Sequence, residues 1–74
     1  MTARYEAVHR EVAEILVEMW AEGRAEPWGV GPYGPLFTAD EGELFLRAEA
    51  CGLVDAHPFE LAHAVARLQV EVIA

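Results

Sequence analysis

Cys51, His57, Glu60 and His63 are the side chains whose types suit metal ligation or thiol chemistry. Glu60 and His63 stand three residues apart, the spacing by which a helix presents a carboxylate and an imidazole in carboxylate-bridged two-metal bundles. Such bundles use the motif twice, facing inward. This chain carries it once, on a narrow polar wedge that also holds Arg67 and Glu71. Cys51 with His57 or His63 supplies a nominal thiol and base, but no oxyanion donors and no third orienting group are recognisable. A small metal- or thiol-dependent enzyme subunit built on Cys51, Glu60 and His63 is therefore an alternative reading. The plainer roles are His57 as a helix-start residue, His63 as a surface histidine and Cys51 as a small core hydrophobe. No cofactor and no catalytic residue is expected.

Two other groups of residues suit recognition rather than reaction. At 100° per residue, Glu11, Glu14, Glu18 and Glu22 fall within an arc of roughly 80° on one helix flank. Such a stripe is either a solvated face or a docking edge for a basic protein, and its exposure denies the burial that would split carboxylate pKa values for acid–base work. Trp28 and Tyr33 lie in RAEPWGVGPYGPLF, where prolines pre-order the backbone and the rings offer rigid contact area. That segment is either a recognition surface, a lid over the helices, or a cover for a small ligand beneath Trp28 and Tyr33. Its glycines, Gly29, Gly31 and Gly34, do not make a phosphate loop, since prolines interrupt them and no lysine follows.

Composition narrows the chemistry further. All five basic residues are arginine, and lysine, serine and asparagine are absent. Schiff-base enzymes, Walker-type phosphate loops, serine hydrolases, carriers with a modified serine and N-glycosylation acceptors are thereby excluded. Thirteen acidic residues give a net charge of -8, opposing the counterion release that drives nucleic-acid binding, so direct nucleic-acid contact is not expected. The same charge complements a basic protein. A single cysteine allows no internal disulfide, and the opening residues lack the basic start and apolar block of a secretory signal. Acids interrupt every apolar run, so a cytoplasmic location without membrane insertion is expected, and the alanine-, glycine- and arginine-rich usage suits a GC-rich bacterial or phage genome.

These residues need elements to position them. From Thr2 as cap, Tyr5, Val8, Val12, Ile15, Leu16 and Met19 recur at helical intervals, with Gly23 as the stop. The proline- and glycine-rich segment that follows supports neither periodicity and reads as a loop. TADE from Thr38 reads as a capping box for a second helix bearing Leu44, Phe45, Ala48 and Cys51, ended by Gly52 with Leu53 packing back. Pro58 opens a third helix, whose tail LQVEVI continues it or, in the alternative, forms a short strand. The expected fold is one all-α domain with helices at about 3–22, 39–51 and 58–73 and a long Pro/Gly/aromatic loop between the first two.

A chain of 74 residues buries only about 60% of its unfolded surface, yet 54% of this one is hydrophobic. The third helix shows where the surplus lies. Leu61, Val65, Leu68 and Val72 form one stripe, while Phe59, Ala62, Ala66, Val70 and Ile73 form a second on an adjoining face. A helix apolar on both faces must be covered on both, either by the long loop or by a second copy of the chain. The leading expectation is a non-catalytic, acidic protein-interaction module, accessory, regulatory or inhibitory, that forms a homodimer through the second stripe and meets a protein partner, a basic one suiting its charge.

Overall fold

A computed structural model describes residues 2–32 and 34–68. Helix α1 spans Thr2–Ala21, strands β1 (Ala25–Gly31) and β2 (Gly34–Ala39) form a hairpin, and helices α2 (Glu41–Ala50), α3 (Leu53–Ala56) and α4 (Pro58–Leu68) follow. The chain is therefore α+β, not the all-α three-helix domain that periodicity suggested. The segment expected as a long loop is a two-stranded antiparallel sheet.

The hairpin forms despite its prolines because a two-stranded ribbon consists of edges. Pro27 and Pro35 remove N–H donors that a central strand would need, whereas each strand here has one side that pairs with nothing in the sheet. Ala25 to Pro27 pair with Ala39 to Phe37, and Gly29 to Gly31 pair with Leu36 to Gly34, the register slipping by one at Trp28. Trp28 is the extra residue of a bulge, and this slip breaks the two-residue alternation that would mark a strand in the sequence. Chain reversal between Gly31 and Gly34 uses Pro32 and a φ of 121° at Gly34, a backbone conformation that glycine supplies without side-chain clash. Phe37 points inward and is 1% exposed. Leu36 points the other way and lies over Gly29 and Gly31, close enough that a Cβ on Gly31 would stand 3.0 Å from Leu36 Cδ2.

Helix α1 ends where Gly23 takes φ 77°. Its N–H donates to the Trp20 carbonyl at 2.9 Å, and the Arg24 N–H donates to the Met19 carbonyl at 2.6 Å. These two bonds form a Schellman motif that satisfies carbonyls left open at the helix end. Helix α2 is capped by Asp40, whose side chain accepts from the Gly42 N–H at 3.2 Å. The capping box expected at Thr38 does not form, because Thr38 and Ala39 are held in β2 by pairing with Glu26 and Ala25. Gly52, at φ 85°, donates to the Glu49 carbonyl and closes α2, and Leu53 after it is buried. Pro58 opens α4, where the Leu61 N–H donates to the His57 carbonyl at 2.8 Å.

The core joins Val8, Val12, Ile15, Leu16 and Met19 of α1 to Leu44 and Ala48 of α2, Leu53 of α3, and Leu61, Ala64, Val65 and Leu68 of α4. Ala25 and Phe37 close it from the hairpin side. Among the described residues, no helix is long and apolar enough to cross a membrane. The tail LQVEVI, from residue 69 on, falls outside the described residues.

Candidate functional site

The acidic stripe of α1 divides in two. Glu22 is drawn out of it by Arg47 of α2, which donates through Nη2 to Oε1 at 2.6 Å and through Nη1 to Oε2 at 3.3 Å. Arg47 also donates to Glu43 Oε2 from Nε at 3.2 Å and from Nη2 at 2.8 Å, while Arg24 stands 3.4 Å from Glu43 Oε1. The Arg47 hydrogen bond, then its charge, lowers the Glu22 pKa below the ordinary carboxylate value, and the two glutamates raise that of the guanidinium. This network clamps the C-terminal end of α1 to α2. Glu11, Glu14 and Glu18 stay exposed, and with Arg47, Ile15, Ala50 and Cys51 they line a groove of about 310 Å³ between α1 and α2.

The residues that suit metal or thiol chemistry are spread over two seams. Cys51 is exposed in the α1/α2 groove, its thiol donating to the Ala48 carbonyl at 3.4 Å. His63 is not a free surface histidine but half-buried between α4 and α1. Its ring meets Tyr5 at 5.0 Å and His9 at 5.3 Å between centroids, both edge to face. The His9 ring is 8% exposed, and its Nδ1–H donates to the Tyr5 carbonyl at 2.8 Å. Glu60 is half-buried on α4, and among the described residues no three of His, Cys, Asp and Glu gather as a metal site.

The aromatic candidates separate as well. Trp28 sits on the β1 bulge and is half exposed, while Tyr33 falls outside the described residues. The ring that sequence reading passed over is Trp20. It stands edge to face on Phe37 at 6.1 Å between centroids, keeps 50% exposure, and borders a cleft of about 410 Å³ with Arg24, Ala25, Glu26 and Thr38. A tryptophan just before the Gly23 helix stop was the available signal. On α4, Leu61, Val65 and Leu68 are buried and Phe59, Ala62 and Ala66 are exposed, Phe59 at 80%. Val70, Val72 and Ile73, which extend the two stripes in the sequence, lie outside the described residues. No family model, curated protein or solved structure matches the chain.

Proposed function

We propose that this chain is a non-catalytic, cytoplasmic protein-interaction module that self-associates through α4. The observation that carries the reading is Phe59, a large apolar side chain 80% exposed, in line with the exposed Ala62 and Ala66 on the side of α4 turned from the core. Removing a phenylalanine side chain from water contributes about 1.5–3 kcal/mol, and alanines at three- and four-residue spacing let a second helix approach closely. In the sequence, Val70 and Ile73 belong to the same apolar stripe. The lone cysteine suits a reducing compartment.

Light scattering on the pure protein tests this reading. A dimer mass at tens of micromolar is expected, falling to the monomer mass in Phe59→Glu. A monomer mass for the unaltered chain at that concentration overturns it.

A further inference from the structure

The outward side of α1 is as two-faced as its inward side is apolar. Trp20, Ala13, Val17 and Ala21 share an arc of about 100°, and Glu14, Glu18 and Glu11 continue around the helix over about 80° more. Trp20 is 50% exposed and Val17 49%, where a solvated helix would carry polar side chains. Arg10, Ala13, Glu14, Val17 and Glu18 make one continuous open surface along this strip. Glu11, Glu14 and Glu18 form no ion pair among the described residues. Carboxylates at three- and four-residue spacing repel one another, and cationic neighbours beyond Arg10, which borders the strip beside Glu14 and Glu18, would relieve that repulsion.

We infer that this face of α1 docks a basic amphipathic helix of another protein. The strip from Arg10 to Ala21 runs about 16 Å along the helix axis, three turns, which matches apolar anchors at positions i, i+3 or i+4, and i+7 of a partner helix. Val17 and Trp20 receive the anchors. Phe37 already holds the Trp20 ring in place, so little of its freedom is left to lose on binding. Arginines or lysines on one flank of the partner meet Glu11, Glu14 and Glu18, which fixes its orientation. An acidic helix, an anionic bilayer and a nucleic acid are all repelled by a surface of net charge -8. The inference rests on the interaction-module reading but uses a different helix from the self-association face.

The test titrates the full chain with a synthetic leucine–arginine peptide of about 18 residues, five helical turns, patterned as an amphipathic helix. Controls are the same composition scrambled and the same pattern with glutamate in place of arginine. Binding is followed by calorimetry, and by Trp20 emission in the Trp28→Phe variant. Micromolar binding of the patterned peptide with a blue shift of Trp20 is expected. Val17→Asp should weaken it at least tenfold, and Glu14→Gln with Glu18→Gln should weaken it several-fold and flatten its salt dependence, with circular dichroism verifying that each variant is folded. No binding, equal binding of the scrambled peptide, or full affinity in folded Val17→Asp overturns the inference. Phe59→Glu should bind the peptide unchanged. A monomeric chain that still binds therefore sinks self-association alone, and a dimer that does not bind sinks this inference alone.

Discussion

Arg47 shows what one side chain contributes here. Its planar guanidinium takes Glu22 with both terminal nitrogens and Glu43 with Nε and Nη2, joining residues 25 apart in sequence across the α1/α2 seam. Lysine could not reproduce that double fork. Because the Glu22 pKa is lowered in the folded chain, the clamp's contribution is fully present above the ordinary carboxylate value. It is lost as pH falls through the lowered one. Replacing Arg47 by Gln should therefore lower the melting temperature at about pH 7, and the gap between variant and unaltered chain should close progressively below about pH 4. A gap that persists unchanged in acid would mean that Arg47 acts through packing of its stem and not through Glu22.

At the scale of elements, the hairpin decides whether the domain has a complete core. Phe37 is 1% exposed and fills the space bounded by α1, with Trp20 against its ring, so Phe37→Ala should cost about 3–5 kcal/mol. Trp28, half exposed on the bulge, should cost far less on the same truncation, read by chemical denaturation of both variants. Equal losses would mean that the bulge packs as tightly as the core strand. The helices were legible because three- and four-residue spacing of Val8, Val12, Ile15 and Leu16, or of Leu61, Val65 and Leu68, is local information. The strands were not, because their pairing is non-local, their prolines are tolerated only through the ribbon's open edges, and the slip at Trp28 breaks their alternation. The same division runs through the candidate site. The glutamate stripe and the second face of α4 follow from helical geometry, whereas the Glu22–Arg47 clamp and the placement of His63 on Tyr5 and His9 depend on which helices meet.

The whole molecule is governed by charge. Eight excess negative charges sit on a body about 32 Å along its longest axis. The Debye length is about 30 Å at 0.01 M salt, so nearly all of these charges repel one another. At 0.15 M it is about 8 Å, and only close neighbours do. Added salt also weakens the pairs of Arg47 with Glu22 and Glu43 and of Arg24 with Glu43, but exposed pairs of this kind contribute little each and lose only a fraction of that. Relief of the general repulsion is the larger effect. The melting temperature should accordingly rise with sodium chloride from about 10 to 150 mM. A steady fall would show that the ion pairs outweigh the excess charge. Duplex DNA, with a negative charge for every 1.7 Å or so of helix axis, gains no counterion release from a surface that neutralises none of its phosphates. Gel-shift titration of the isolated chain at physiological salt should leave the duplex unbound, and the leucine–arginine peptide should bind more weakly as salt increases. Salt thus steadies the fold while loosening its proposed contact, because the same glutamates on α1 repel one another when alone and attract the partner when it is present.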